Sequence, residues 1–308
     1  MRVRQTAILL AQLLWLLTSQ TSGSCVCDDP KALWCDEFSV WNEQWTHDVG
    51  GGGWGNYESQ IYNRENSPVV DGELRIHATK GLDENYYSSR IQTKGKVEFL
   101  YVRLEASIKV TNLEGGLWPA FWMLGANFGD VGWPFCGEID IMELGSAEAI
   151  AKGQIHELVL AAMHWNATID GDHVYEYSGN TTTPAMVQEF HTYGLDWTPE
   201  KITMDVDGKE LFTRNITGLD QFHKPFFVLL NLAVGGLFTG IAEPTTAGGA
   251  MIVDWIRAYD NGSGSRVTVD EQPFNYSNGD CTDSSSGIRL FAMVPIVFSA
   301  IVACIFLS

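Results

Sequence analysis

The sequence predicts an all-β protein that folds as an antiparallel β-sandwich. Apolar and polar side chains alternate along short segments, as they do when one face of a strand is buried and the other faces solvent. Turn residues, among them many of the 31 glycines, separate these segments. Few stretches show the 3.6-residue spacing of an amphipathic helix. Short strands joined by frequent turns are typical of sandwiches and barrels.

The alternating pattern is clearest in four predicted strands. In chain order they cover residues 72–77, 96–104, 202–208 and 251–256. Helix is expected at most in short stretches such as 184–190, and the polar segment 153–163 is interpreted as a loop that leads to His164. The sequence shows no internal repeat and no linker before about residue 260. One large domain over residues 25–260 is therefore expected.

Both ends of the sequence resemble sorting signals. Two arginines and an apolar run predict a secretory signal peptide over residues 1–24. Residues 261–289 are rich in Ser, Gly and Asn and form a predicted stalk, and residues 290–308 form an apolar tail without a charge. This order is typical of GPI attachment, at Asn278 or at a serine among residues 284–286. A single membrane-spanning helix, or neither, remains the alternative.

Other features agree with a secreted protein. Five Asn-X-Ser/Thr sequons lie at Asn166, Asn180, Asn215, Asn261 and Asn275. A disulfide that joins Cys25 or Cys27 to Cys35 is expected, with the pairing left open. We therefore expect the protein in the secretory pathway and then at the extracellular face of the plasma membrane or in a cell wall, with the C-terminal segment as its membrane anchor.

The charge balance limits the class of partner. The chain has 38 acidic and 19 basic residues, a formal net charge of −19. A surface this negative repels phosphate backbones, so no nucleic acid is expected as a partner. An uncharged substrate and a monomeric domain are expected instead.

Three acidic residues stand close together in the segment Gly-Glu-Ile-Asp-Ile-Met-Glu, residues 137–143. On a regular strand Glu138 and Asp140 point to one face, whereas Glu143 points to the other. One extra residue, inserted as a β-bulge near Met142, would place all three carboxyl groups on the same face. The sequence therefore predicts a bulge at this point.

Neighbouring carboxyl groups suit glycoside hydrolysis. Their repulsion keeps one group protonated, and a retaining glycosidase needs one carboxylate as nucleophile and one carboxylic acid to protonate the leaving oxygen. Four strand steps separate the Cα atoms by about 13 Å. Retaining chemistry places the carboxyl groups about 5–5.5 Å apart, so the long side chains would have to lean together. The alternative is an ordinary strand whose acids face solvent.

The acidic segment and Trp-Pro-Ala-Phe-Trp-Met at residues 118–123 resemble the core of glycoside hydrolase family 16. With the extra residue Met142, the acidic segment resembles that of the laminarinase-like (endo-β-1,3-glucanase) branch. Further matching segments cover residues 54–60, 89–95, 191–199, 231–236 and 253–257. The segment Leu-Phe-Thr-Gly at 237–240 departs from the Asn-Trp-Pro-Gly of bacterial relatives, so linkage and chain-length preference stay open.

The resemblance implies a fold and an activity. The fold is a jelly-roll (concanavalin A-like) sandwich with a concave glycan-binding cleft. The activity is retaining endo-hydrolysis of β-1,3-glucan, with Glu138 as nucleophile, Asp140 as its orienting partner and Glu143 as general acid/base. A transglycosylase that remodels cell-wall glycan and a β-glucan-binding protein without hydrolytic activity are the alternatives.

The resemblance also suggests substrate-binding residues. Tryptophan rings can pack against the C–H face of a sugar, and the candidates at matched positions are Trp118, Trp122 and Trp197, although each could be a core residue. Trp133 is a further candidate near the acidic segment. Polar partners for sugar hydroxyls are expected at Asn56, Arg90, His164 and Asn231. Glu58 is interpreted as a solvated or supporting acid.

No catalytic cofactor is implied. Many relatives hold a structural calcium ion, which Asp254 could bind together with Asp36 or Glu37, but the full set of metal ligands cannot be read from sequence. Cys136 is interpreted as a buried packing thiol, because glycoside chemistry offers it no task.

Overall fold

The computed structural model describes residues 27–113, 115–166, 173–181, 187–241, 244 and 248–270. The predicted signal peptide at 1–24, the apolar tail at 290–308 and most of the stalk lie outside these residues, as do Cys25 and Asn275. The interpretations that rest on them stay predictions. In the described part of the chain, no helix has the length and apolar character needed to cross a membrane.

Strands dominate the described residues. In chain order they are β1 (Ala32–Asp36), β2 (Thr46–Asp48), β3 (Gln60–Tyr62), β4 (Val69–Val70), β5 (Glu73–Lys80), β6 (Tyr86–Ser88), β7 (Arg90–Gln92), β8 (Val97–Leu100), β9 (Val102–Thr111), β10 (Leu117–Gly125), β11 (Glu138–Glu143), β12 (Leu158–Asn166), β13 (His173–Thr181), β14 (His191–Trp197), β15 (Lys201–Val206), β16 (Lys209–Asn215), β17 (Phe226–Val234), β18 (Gly248–Asp260) and β19 (Arg266–Val269). Two short α-helices, α1 (Phe128–Val131) and α2 (Ala147–Lys152), and a 3₁₀-helix at Asp220–His223 join them.

The strands form two large sheets. The first has the order β16-β15-β14-β9-β18-β5-β6-β3, with β1 beside β18 and β4 beside β5. The second has the order β13-β12-β11-β10-β17-β7-β2, with β8 beside β17 and β19 beside β8. The strands pair antiparallel throughout, apart from the parallel pair β3 and β6. The predicted antiparallel sandwich is confirmed.

The hydrophobic core lies between the two sheets. In β5 every second side chain is buried as far as Ala78, which is the alternation that the sequence shows. Strand β17 is different, because all nine of its residues are buried. A central strand that is covered on both faces needs such a continuous apolar run. Asn231 is the one strongly polar side chain in it, and it belongs to the site described below.

The predicted strand 96–104 is two strands. Strand β8 lies in the second sheet and β9 in the first. Tyr101, between them, has a φ angle of 54°, in the left-handed region that a side chain rarely adopts. The chain turns there and crosses from one sheet to the other. The alternation changes phase at this point, because buried Val97 and Phe99 are followed by buried Val102 and Leu104, and this change is the signal that could have revealed the break.

Two expectations about local structure are wrong. Residues 187–190, the described part of the predicted helix, contain no helix, whereas α2 forms at 147–152. The Ser146 hydroxyl caps α2 by accepting the Ala149 N–H at 3.1 Å, and Gly153 ends it in the left-handed conformation. The segment 153–163 is not all loop either, since β12 begins at Leu158. The polar residues before Leu158 form a turn and hide the apolar run that follows.

The structure describes a disulfide and one free cysteine. Cys27 and Cys35 form a disulfide, which is one of the two pairings expected. Cys136 is a buried free thiol, and burial raises its pKa to about 11. It packs with Leu124 and Phe227, as the interpretation of a packing thiol requires.

Candidate active site

The three acids of β11 share one face of the second sheet because the strand carries a bulge. Trp122 of β10 pairs with Asp140, but its neighbour Phe121 pairs with Met142, so one residue of β11 is skipped. Ile141 and Met142 are both fully buried in the core. Glu143 therefore returns to the face of Glu138 and Asp140, as predicted. We call this face, which points away from the core, the cleft face.

Neighbouring strands supply partners to the acids. His164 pairs with Glu138 across β11 and β12, and its Nε2 lies 3.3 Å from Asp140 Oδ2 and 3.8 Å from Glu138 Oε1. The indole N–H of Trp118 donates a hydrogen bond to Glu143 Oε1 at 2.9 Å. The acids at both ends of the group are thus fixed by rigid strands rather than by loops, which favours precise positioning.

The environment of the acids disfavours their ionised forms. Burial raises the pKa of Glu138 to about 8, and the charge of Asp140 adds to this effect. Burial also raises the pKa of Asp140. For Glu143 burial is again the larger cause of a raised pKa and the Asp140 charge the smaller, while the Trp118 hydrogen bond opposes them. Three carboxyl groups in this position cannot all be ionised at neutral pH.

A group of acids that retains a proton can carry out acid–base and nucleophilic steps together. One member can hold the proton that a leaving oxygen needs, and another can attack as a carboxylate. Buried acids whose pKa values are raised by one another are a feature of catalytic sites. The alternative of three solvent-facing acids is wrong for Asp140 and Glu143, which are both buried.

This environment has a consequence for stability. We expect Glu138→Gln to raise the melting temperature at pH 8 by at least about 3 °C, because one unit of pKa shift is worth about 1.4 kcal/mol and 1 kcal/mol corresponds to about 2–4 °C. In the folded protein burial raises the pKa of Glu138 to about 8, whereas in the unfolded chain the pKa is near 4.3. Wild-type stability therefore falls as pH rises through this interval, and glutamine removes the fall.

Calorimetry of the two proteins at pH 4 and pH 8 measures this effect. The gain should shrink toward pH 4, where Glu138 is protonated in both states of the wild type. A gain of the same size at both pH values would contradict a site that disfavours the ionised form of Glu138.

Trp118 and Trp122 both lie on β10, the strand beside the acids, with their side chains on the cleft face, and both are half-buried. The Trp118 ring stacks on Phe238 with centroids 4.5 Å apart. The Trp122 indole N–H donates to Asn231 Oδ1 at 2.7 Å. Each ring is therefore held in place while part of it stays accessible, as a platform for a sugar ring requires.

Arg90 lies beside Trp122. Its guanidinium is 4.9 Å from the Trp122 ring and 5.2 Å from the Trp54 ring, and its Nε lies 2.9 Å from Asp48 Oδ2. Two aromatic rings and an ion pair fix the orientation of the guanidinium. Its remaining N–H groups can reach hydroxyl groups of a bound ligand.

Asn56 lies at the margin of the same group. Its side-chain N–H donates to Glu58 Oε1 at 3.2 Å, and Gln60 donates to Glu58 Oε2 at 2.6 Å. Burial raises the pKa of Glu58. Glu58 thus holds Asn56 in place, which agrees with the interpretation of a supporting acid.

Trp197 is not a cleft residue. It lies in β14 of the first sheet, is 0% exposed, and donates its indole N–H to the carbonyl oxygen of Phe222 at 3.1 Å. Its ring packs edge-on against Tyr101 and Phe226 in the core. The expected platform role is wrong, because this residue sits on the inward face of the sheet that does not carry the acids.

Some residues near the acids were not expected. Phe238 stacks on Trp118, and Trp54 flanks Arg90. His173 lies beside His164, with Nε2 3.0 Å from His164 Nδ1. The alternating His-Val-Tyr-Glu-Tyr at residues 173–177 is the signal that could have revealed an aromatic face on β13.

Metal ligation has two candidate places. Asp36 accepts N–H groups from Phe38 and from the Trp45 indole, and both oxygens of Glu37 accept from Arg257. Both carboxylates therefore have protein donors as partners, and their part in a calcium site stays a prediction. Calcium at Asp254 stays a prediction.

The other place is the cleft face itself. Ligand atoms of Glu138, Asp140 and His164 lie within 4.8 Å of one another. A cation bound there would occupy the carboxyl groups that acid–base chemistry needs.

Comparison with known proteins identifies the family. Residues 55–257 match the family described as Glycosyl hydrolases family 16. A β-glucanase of Rhodothermus marinus is 33% identical over 83% of this chain and 94% of its own length. A glucan endo-1,3-β-glucosidase of Cryptopygus antarcticus is 35% identical over 68% of this chain and 82% of its own.

A solved structure of the same family is also similar to this chain. The Bacteroides ovatus family 16 protein of a mixed-linkage glucan locus, in complex with its product G4G4G3G, superimposes with a TM-score of 0.69 at 36% identity. The alignment covers 73% of this chain and 99% of that one. The sandwich, the bulged acidic strand and these matches agree, and the chain belongs to glycosyl hydrolase family 16.

Proposed function

We propose that this protein is a retaining endo-β-glucanase that hydrolyses β-1,3-glucan. The observation that carries the proposal is the bulge in β11, which places Glu138, Asp140 and Glu143 on one face with one or more protons retained. Glu138 attacks the anomeric carbon as a carboxylate, and Glu143 protonates the leaving glycosidic oxygen. Glu143 then takes a proton from the water that releases the sugar from Glu138.

Asp140 and His164 act on the nucleophile. Asp140 lies between the two glutamates in sequence, and His164 Nε2 lies near the carboxylates of both Asp140 and Glu138. A protonated Asp140 can donate a hydrogen bond to Glu138, and His164 favours the ionised form of Glu138. Together they set the orientation and charge of the attacking group.

The cleft face also offers binding groups for an uncharged glycan. Half-buried Trp118 and Trp122 supply apolar surface, and Arg90, Asn56 and Asn231 supply polar groups close to them. A glycosidase site combines such platforms with a small number of placed polar groups. The 1,3 linkage is supported by the Cryptopygus relative, whereas the Bacteroides structure holds a mixed-linkage product.

Product profiles test this function. The purified protein is incubated with laminarin, mixed-linkage glucan, agarose and galactan, and products are resolved by mass. We expect internal cleavage of laminarin into short oligosaccharides. Activity on a galactan alone would contradict the proposed substrate. Products longer than the input oligosaccharides would indicate transglycosylation, and binding without any product would indicate a glucan-binding protein.

We also propose that the protein follows the secretory route to the cell surface, held there by its C-terminal segment. The N-terminal apolar run, the sequons and the Cys27–Cys35 disulfide support this route. Phosphatidylinositol-specific phospholipase C should release the protein from intact cells. Retention after this treatment would contradict GPI attachment.

A further inference from the structure

Strand β13 brings a row of aromatic side chains to the cleft face. Cross-strand pairs point to the same side of a sheet. Tyr175 pairs with His164, which pairs with Glu138, and Tyr177 pairs with Ala162, which pairs with Asp140. Both tyrosines therefore share the face of the acids. Neighbouring strands are about 4.8 Å apart, so Tyr177 stands about 10 Å from the catalytic strand.

These tyrosines are exposed although they are large. Tyr175 and Tyr177 are each 55% exposed, and Trp133 near the start of β11 is 45% exposed. Single exposed aromatic residues are common, but a group of them marks a binding surface. The Tyr175 and Tyr177 rings are 6.1 Å apart with planes 17° from parallel.

Two histidines connect this group to the acids. The planes of His164 and His173 differ by 17°, and a ring nitrogen of one lies 3.0 Å from a ring nitrogen of the other. A hydrogen bond to a ring nitrogen lies near the ring plane, so the two imidazoles lie edge to edge. Trp133 packs on His173 with centroids 4.5 Å apart. The aromatic surface is therefore continuous from His164 to Tyr177.

The side chain between the acids and the tyrosines is small. Ala162 is the residue between Asp140 and Tyr177 in the cross-strand row, and its methyl group leaves room above the sheet. Beyond the tyrosines, a cavity of about 650 Å³ opens between β13 and β16, the edge strands of the two sheets. A chain lying on the cleft face can thus pass the tyrosines and continue over the edge of the sandwich.

We propose that Tyr175 and Tyr177, with Trp133, form a second glycan-binding platform for sugar units on the β12–β13 side of the acids. This platform lies across the catalytic strand from Trp122 and Arg90, so one glycan chain would contact both sides. The inference rests on the proposed function and adds to it a preference for long chains. The occupant is an uncharged β-glucan, because its C–H faces pack on aromatic rings and its hydroxyls need no fixed charge.

The platform is tested by the dependence of kinetics on substrate length. Wild-type protein, a Tyr175→Ala/Tyr177→Ala double variant and a Tyr175→Phe/Tyr177→Phe double variant are assayed on β-1,3-gluco-oligosaccharides of increasing length and on laminarin. Phe190→Ala is the matched control. Phe190 is also an exposed aromatic residue, but it contacts Lys109 in β9, which belongs to the sheet that does not carry the acids.

For the alanine variant we expect KM on the longest substrates to rise about tenfold, equivalent to about 1.4 kcal/mol, with kcat unchanged. KM on the shortest cleaved substrate should not change, and the phenylalanine variant should stay close to wild type. A wild-type KM at every length would overturn the platform. So would equal losses at all lengths, which indicate a structural role.

Failure of the proposed function gives a different result. If wild-type protein cleaves none of these glucans, the proposed function is wrong, and calorimetric binding of the longest oligosaccharide then tests the platform alone. Weaker binding by the alanine variant than by wild type and Phe190→Ala would support it. Equal binding by all three proteins, or no binding by any of them, would contradict the platform. Either result would also be obtained if the tyrosines contact a protein partner and not a glycan.

Discussion

Glu138→Gln should lower kcat on β-glucan by about 10⁴-fold or more, the scale of losing a covalent nucleophile. Glutamine keeps the shape of the side chain, but its neutral amide cannot form the glycosyl-enzyme bond. Glutamine is close to glutamate in size, and burial already disfavours the charged form of Glu138, so the fold should tolerate the change. Initial rates of sugar release from laminarin measure the effect.

A matched control separates nucleophile loss from a general effect of removing an acid. Glu98 lies in β8 of the same sheet, and burial also raises its pKa, but it is not among the residues placed on the cleft face. Glu98→Gln should keep the rate within about twofold of wild type. A substitution away from the site and the core has little effect on stability, and Glu98 takes no part in the proposed reaction. Residual activity of Glu138→Gln close to that of Glu98→Gln would show that Glu138 is not the nucleophile.

Glu143→Gln should lower kcat on β-glucan by about 10²–10⁴-fold, the usual contribution of a general acid or base. The loss should depend on the leaving group. An aryl glucoside with a nitrophenolate leaving group departs without protonation, so formation of the glycosyl-enzyme should lose much less of its rate than it does with glucan. Pre-steady-state release of nitrophenol measures this step.

Glu138→Gln is the comparison for this experiment. It removes the attacking group and should therefore abolish the rapid release of nitrophenol as well as glucan hydrolysis. If Glu143→Gln loses equal rate on both substrates, Glu143 does not act as the acid. If Glu138→Gln keeps the rapid release while Glu143→Gln abolishes it, the two roles are reversed.

Sequence patterns predict the core of this site because it follows local rules. Alternation gives the sandwich, and the break in the period after Asp140 requires the bulge that the structure contains. The same rule places Ile139, Ile141 and Met142 in the core and the acids outside it. These relations depend on neighbours in sequence, which is why they are readable.

The remaining features depend on contacts between distant segments. Trp197 lies on a strand with the same alternation as the cleft strands, and only the pairing order shows that β14 belongs to the first sheet. The turn at Tyr101 is marked in the sequence by a shift in the apolar period, but that shift does not show that the two strands belong to different sheets. Tyr175 and Tyr177 become cleft residues only through their pairing with His164 and Ala162.

The raised pKa values also emerge only from the fold. An isolated strand with three acids would leave them hydrated, and their repulsion would be small in water. Burial against the neighbouring strands removes that hydration. The buried acids lower the stability of the fold, but their raised pKa values keep a proton available for the leaving oxygen. This is an example of the trade-off between stability and activity.

The position of a trapped covalent intermediate tests the central claim most directly. A 2-deoxy-2-fluoro β-glucosyl donor with a good leaving group forms the glycosyl-enzyme faster than water can release it, because fluorine destabilises the cationic transition state. After incubation and peptide mass mapping, the account predicts one added glycosyl group on Glu138, within residues 137–143. A label on Glu143, on Glu58 or on no residue, in a protein that cleaves laminarin, would contradict it.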